Sequence, residues 1–375
     1  MNNIFLSGGL AFIITFFSIP VIIEVAKDKK LFDEPGERKV HKAVIPTLGG
    51  LGIFGGFIIA TLIGVPPADA SVLQYFMAAI MIIFFMGVKD DVLILTATKK
   101  FVGQLIAAGI IIKFGGIQIT DMYGVLGIHA LTPTASFLLT LFTIVVITNS
   151  FNLIDGVDGL AGSLGLLTSL VFGAYFYFSG YPLYAVMALS LAGSLIAFLI
   201  YNFHPAKIFM GDTGSLLIGL VNSILVIKFI TTASDPAAAI PLQSAPALGF
   251  AILLVPLFDT LRVVSHRILN RRSPFCPDRN HIHHVLLNLG FSHKMIALTC
   301  VTANISFIVL AYFLRSTGTS IVMLTLAAVA TSIVGIVYYN RPKTKIVLTN
   351  GQLHEEPIIK SHKILTLAGE TVEQD

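Results

Sequence analysis

Eleven long apolar runs, more than a fold surrounded by water can bury, constrain this chain before any single residue does. They lie at roughly 3 to 26, 47 to 65, 72 to 88, 101 to 114, 133 to 149, 160 to 179, 182 to 201, 213 to 232, 245 to 265, 294 to 314 and 319 to 339. A bilayer core takes about 20 apolar residues of helix per crossing, and backbone in lipid must satisfy its own polar groups, which single segments do as helices. The composition agrees: of 375 residues, 55% are hydrophobic and 12% charged, with a mean hydropathy of +0.87. The expected fold is all-α, a polytopic membrane protein of about eleven transmembrane helices. Residues 1–340 form the transmembrane domain and 341–375 a polar, unpatterned tail. The fourth run is short and needs to extend past Lys113 or tilt to cross.

Charge sets the orientation, because Lys and Arg accumulate on the cytoplasmic side of membrane proteins. With the N-terminus outside, the cytoplasmic connections and tail hold 21 of the 24 basic residues, leaving Lys113, Lys228 and Arg315 elsewhere. The C-terminus is then cytoplasmic. The basic residues flank apolar runs, so the net charge of +4 reflects orientation in the bilayer rather than a nucleic-acid partner. Cys276 and Cys300 do not form a disulfide framework, since one lies in a basic loop and the other in an apolar run. The first run has no basic residue before it and no small-residue cleavage site after it, and reads as a span rather than a removable signal. The outer turns, such as Ser179-Gly180-Tyr181-Pro182, carry little chemistry, so function is expected on the inner face.

Five inner loops carry that chemistry. The first reads Phe32-Asp33-Glu34-Pro35-Gly36-Glu37-Arg38-Lys39-Val40-His41-Lys42, followed by Pro46-Thr47-Leu48-Gly49-Gly50. Its cations suit anionic phosphates and its glycines permit close backbone approach, although an ordinary positive-inside loop reads the same way. The second ends a span with Asp90-Asp91 and has Lys99-Lys100 before the next. Adjacent carboxylates repel, so a membrane boundary keeps them where a cation or hydrogen bonds hold them. The third, Asn149-Ser150-Phe151-Asn152-Leu153-Ile154-Asp155-Gly156-Val157-Asp158-Gly159-Leu160, has more polar groups than a helix stop with Asp158 as N-cap requires. In the fourth, Phe209-Met210-Gly211-Asp212-Thr213-Gly214-Ser215 opens a span. Asp212 or Thr213 is either a helix cap or part of a metal and diphosphate site. The fifth holds Asp259, Arg262, Arg267, Arg271, Arg272, Arg279, His281, His283 and His284. Its His-x-His-His lacks an acidic or cysteine partner at zinc spacing and suits a diphosphate better than zinc.

In this order and on these loops the motifs resemble the polyprenyl-phosphate N-acetylhexosamine-1-phosphate transferases, from about Asp33 to about Leu289. The resemblance implies an all-helical fold, a Mg²⁺ cofactor replaceable by Mn²⁺, a UDP-N-acetylhexosamine donor, an undecaprenyl phosphate acceptor and a homodimer in the inner (plasma) membrane. It implies catalytic roles for Asp90, Asp91, Asp155 and Asp158 and a metal ligand in Asp212. Substrate contacts are implied for Lys42, Asn152, Phe209, Arg279, His281, His283 and His284, with Phe209 stacking on uracil. The related phospho-muramoyl-pentapeptide transferase has ten spans and three consecutive histidines. Here Ile282 separates His281 from His283 and a span is added, which favours GlcNAc-1-phosphate as the transferred group. The competing class is a secondary transporter. It places ionisable groups near mid-span and builds its fold from repeated halves, whereas here the acids and histidines collect at span ends and no repeat is visible.

Overall fold

The computed structural model describes residues 2–29, 45–271, 273, 280–340, 344–349 and 352–357. Every one of the eleven apolar runs is helical: α1 (Asn2–Asp28), α2 (Gly49–Gly64), α3 (Ala70–Val92), α4 (Ala97–Lys113), α5 (Pro133–Ile154), α6 (Leu160–Phe178), α7 (Pro182–Asn202), α8 (Gly211–Ala233), the pair α9 (Ala245–Ile252) and α10 (Leu254–Leu269), α12 (His293–Leu314) and α13 (Thr319–Tyr339). A short helix, α11 (Ile282–Asn288), lies between α10 and α12. Among the described residues, eight helices are long and apolar enough to cross a membrane, or nine if α9 and α10 form one span. The remaining runs, α2 and α4, have 16 and 17 residues.

Local chemistry explains the boundaries. Thr132 caps α5 by accepting from Ala135 N–H, and Pro133, which has no N–H to leave unpaired, begins the helix. Ser292 caps α12 in the same way, accepting from Met295 N–H.

The ninth run departs from the straight span expected over 245 to 265, because α9 and α10 meet at 82° about Leu253. Pro256 cannot donate to the carbonyl of Ile252, the bond a continuous helix would require. Asn304 of α12 replaces it: its Nδ2 donates to Ile252 O at 2.9 Å and its Oδ1 accepts from Val255 N–H at 3.0 Å. A buried side-chain amide thus satisfies both sides of the break.

Two antiparallel hairpins add to the helical fold. β1 (Asp121–Val125) pairs with β2 (Ile128–Ala130) between α4 and α5, where the sequence suggested only a connection. This hairpin holds the start of α13: Ser320 Oγ accepts from Leu126 N–H at 2.8 Å and donates to Gly124 O at 3.1 Å. In the tail, read as unpatterned, β3 (Thr344–Thr349) pairs with β4 (Gln352–Pro357).

The bundle is centred on α8, which packs against α2, α3, α5, α6, α7 and α9. Of its most apolar stretch 83% is buried, against 17% for α13, so α8 is the axis and α13 the periphery. Its N-terminus opens at the end of the bundle where α3 and α5 finish.

Candidate active site

The junction of α2, α3 and α8 is made by direct backbone contact. Gly49 and Gly50 N–H donate to the carbonyls of Phe209 and Met210 at 2.9 and 2.8 Å, and Phe209 N–H donates to Pro46 O at 2.8 Å. A Cβ on Gly50 would strike the backbone of Gly214, and one on Gly87 would sit 2.5 Å from Thr213 Cα. The Gly-Gly pair therefore allows approach to the protein's own backbone, where the sequence suggested approach to phosphate.

That contact delivers α3's last turn to the mouth of α8. Asp91 Oδ1 accepts from Asp212 N–H at 2.7 Å, and Oδ2 accepts from Thr213 N–H at 3.1 Å and Thr213 Oγ1 at 2.5 Å. Asp91 thus caps α8 from another helix, taking N–H groups that the sequence offered to a diphosphate. Asp212 is correspondingly not the cap. Its carboxylate faces Lys100 Nζ at 2.6 Å, and the same ammonium lies 2.6 Å from Asp90 Oδ2. Asp90 also accepts from Leu95 N–H at 2.6 Å, which fixes the turn into α4. Two carboxylates on separate helices therefore hold one cation at a partly exposed position.

Asp155, at the end of α5, joins this group. Burial, and then the negative charges of Asp212, Asp91 and Asp158, push its carboxyl up to about 8. Asn152, one turn earlier, donates from Nδ2 to Ser215 Oγ at 3.0 Å and ties α5 to the first turn of α8. Asp158 does not cap α6, whose N-cap is Gly159 at φ 77°. Its buried carboxylate accepts from His204 Nδ1 at 2.8 Å and lies 3.2 Å from His293 Nδ1. Burial alone would raise its pKa, but the bonds from His293 and His204 outweigh it and hold the carboxyl down at about 2. Asn202 fixes this loop by accepting from Gly159 N–H and donating to Ile208 O, both at 2.9 Å.

The histidines of the fifth loop form the neighbouring wall. Asp259, buried on α10, takes His281 Nδ1 at 2.8 Å, Ile282 N–H at 2.9 Å and Arg262 at 2.7 Å. Arg262 also donates to Asn280 O at 2.6 Å and to Tyr338 Oη at 2.9 Å. His283 is buried with its ring against Gly156, so close that a Cβ there would overlap Nε2. Burial, then neighbouring His284, push its pKa down to about 3, so it is neutral at physiological pH. Its ring stacks parallel to that of His281 and tilts against that of His284.

The structure therefore gathers Asp90, Asp91, Asp155, Asp158, Asp212, Asn152 and the three histidines at one end of the bundle, with Phe209 at the α2–α8 junction. Lys42 and Arg279 lie outside the described residues. Sequence reasoning left Lys100, Asp259, Asn202, His204 and His293 without roles. An acid three residues before an arginine at the end of an apolar run was a usable signal for Asp259, whereas nothing local marked His293.

Comparison with known proteins fits this arrangement. Residues 73–230 match the model of glycosyl transferase family 4. The chain is 35% identical over 324 residues to the decaprenyl-phosphate N-acetylglucosaminephosphotransferase of Mycobacterium leprae, covering 80% of each chain. It is 36% identical over 324 residues to the protein of that name from Mycobacterium tuberculosis, covering 80% of this chain and 79% of the relative. The undecaprenyl-phosphate alpha-N-acetylglucosaminyl 1-phosphate transferase of Escherichia coli K12 is 27% identical over 302 residues, 78% of this chain and 80% of the relative. Similarity that runs through four-fifths of both chains, and through the helices that build the acidic site, makes this protein a membrane-embedded enzyme of glycosyl transferase family 4.

Proposed function

We propose that the enzyme transfers GlcNAc-1-phosphate from UDP-GlcNAc to undecaprenyl phosphate, releasing UMP and forming the lipid-linked diphosphate sugar that starts an envelope polysaccharide. The lipid phosphate is already an anionic nucleophile. One of its oxygens bonds to the phosphorus that carries the sugar, the bond from that phosphorus to the UMP oxygen breaks, and the electron pair leaves with UMP. No covalent enzyme intermediate is needed. The difficulty is bringing two anions together, so positioning and charge do most of the work.

The observation that carries this reading is the cation shared by Asp90 and Asp212 beside Asp155. The ammonium of Lys100 stands in for the positive charge such a group of carboxylates can hold, and an all-oxygen donor set on rigid helix ends suits a hard divalent ion. Asp212 would hold Mg²⁺, or Mn²⁺ in its place, with Asp90 and Asp155 alongside. When bound, that ion supplies charge neutralisation at the diphosphate. Lys100, displaced from between the two carboxylates, would supply a further positive charge beside them. Asp91 keeps Asp212 in place through the α8 backbone, Asn152 fixes the approach of α5, and Asp259 orients His281 toward the donor side.

In the membrane we assign eleven crossings, with α2 and α4 completing the set and α9–α10 forming one broken span. The N-terminus lies outside, the acidic site faces the cytoplasm, and the enzyme resides in the plasma (inner) membrane as a homodimer.

Purified enzyme given UDP-GlcNAc or UDP-MurNAc-pentapeptide with undecaprenyl phosphate tests the donor. UMP release with UDP-GlcNAc alone is expected, and preference for the muramoyl donor would overturn the assignment. Asp212→Asn should abolish transfer across a magnesium titration while leaving the unfolding temperature within a few degrees of wild type, because Asp91 still caps α8. Normal turnover by that variant would move the metal to another acid.

A further inference from the structure

Three segments far apart in the chain converge on one oxygen: the loop after α5 through Asp158, the loop after α7 through His204, and the first turn of α12 through His293. Their nearest ligand atoms all lie within 4.8 Å of one another, with Nδ1 of the two histidines 2.8 and 3.2 Å from Asp158 Oδ2. We propose that Asp158, His204 and His293 bind a transition-metal cation of the zinc class, at a site distinct from the one shared by Asp90, Asp212 and Lys100.

Geometry and donor type both favour this. Zinc bonds to imidazole nitrogen and carboxylate oxygen run about 2.0 to 2.2 Å, which sets ligand atoms roughly 3.3 Å apart at the corners of a tetrahedron. The two Asp158–histidine separations, 2.8 and 3.2 Å, are already close to that edge, and the histidine ligand atoms lie within 4.8 Å of each other, so closing on an ion needs only small side-chain movements. Two imidazoles and one carboxylate suit a borderline cation, whereas Mg²⁺ prefers oxygen alone. Asp158 is buried and accepts a further, longer bond from Ala206 N–H at 3.4 Å. His204 has 42% of its side chain exposed, which leaves the fourth corner open to water. Coordination through Nδ1 places each imidazole's proton on Nε2. The His281, His283 and His284 group offers no comparable convergence, because His281 Nδ1 is taken by Asp259 and the His283 ring lies against Gly156. A bound cation would tie the α5–α6 and α7–α8 loops to α12, stabilising the fold by mass action.

The test uses full-length protein in detergent, stripped with chelator and dialysed against micromolar Zn²⁺ in millimolar Mg²⁺. Expected are one more zinc per chain than in the His204→Ala/His293→Ala double variant, a zinc-dependent rise in unfolding temperature, and unchanged zinc content in Asp212→Asn. His293→Asn, which keeps a polar side chain and a foldable protein, should weaken zinc binding at least tenfold. Equal zinc in wild type and the double variant, unchanged affinity in His293→Asn, or zinc that disappears only on replacing His281 and His284 would each overturn the proposal.

Discussion

At the scale of single residues, the five acids that look alike in the sequence have separated into different tasks. Asp91 is spent on two backbone N–H groups and a hydroxyl of α8, so Asp91→Ala should destabilise the protein by roughly 1.5 to 3 kcal/mol, the range for hydrogen bonds to a charged group. Thermal unfolding in detergent reads this, and an unfolding temperature equal to wild type would remove Asp91 from its capping role. His283 gives the pH dependence. With a folded pKa of about 3 against an ordinary value of 6.5, it stays neutral in the fold while the unfolded chain takes up a proton. Stability is therefore full above about pH 6.5 and declines as pH falls toward 3, by about 2 kcal/mol at pH 5 for this group. His283→Gln should flatten the stability profile between pH 7 and pH 5. A slope as steep as wild type would show that other groups carry the acid sensitivity.

Among the elements, the apolar runs were legible because hydrophobicity over about 20 residues is a strong and local signal. The motifs were legible too, since clustered acids and amides at span ends have few structural uses. What the sequence could not display was partnership. The choice between Asp91 and Asp212 as the cap of α8 depends on how closely α3 approaches, and that follows from Gly87 meeting Thr213. Gly87→Ala should force these helices apart and destabilise the bundle by about 1 to 3 kcal/mol, with transfer lost in parallel. A fully stable, active variant would show that the contact yields. The break between α9 and α10 was hidden for the same reason: Pro256 signals a missing bond, but its replacement comes from Asn304, 48 residues later. Asn304→Leu leaves a buried donor and a buried acceptor unpaired and should lower stability by roughly 2 to 4 kcal/mol, read by thermal unfolding. No change there would mean that the break is held by packing alone.

For the whole molecule, the charge distribution along the chain predicts which end of the bundle faces inward, and the described structure places the acidic site at a single end. On a cysteine-free background, Asp235→Cys should react with an impermeant maleimide in intact cells and Lys207→Cys only after permeabilisation; both positions are exposed. The reverse pattern would invert the topology. Tyr338 links this architecture to the order in which the chain is made. Its hydroxyl, at the end of the last helix, meets Arg262 and the carbonyl of Asn280, next to His281. During synthesis this tether cannot form until α13 has left the ribosome and entered the bilayer. Every earlier helix can be inserted while the fifth loop still lacks this contact, so a nascent or prematurely terminated chain holds His281 and Asn280 through Asp259 and Arg262 alone. The last tether of the histidine wall is thereby added only once α13 is in place.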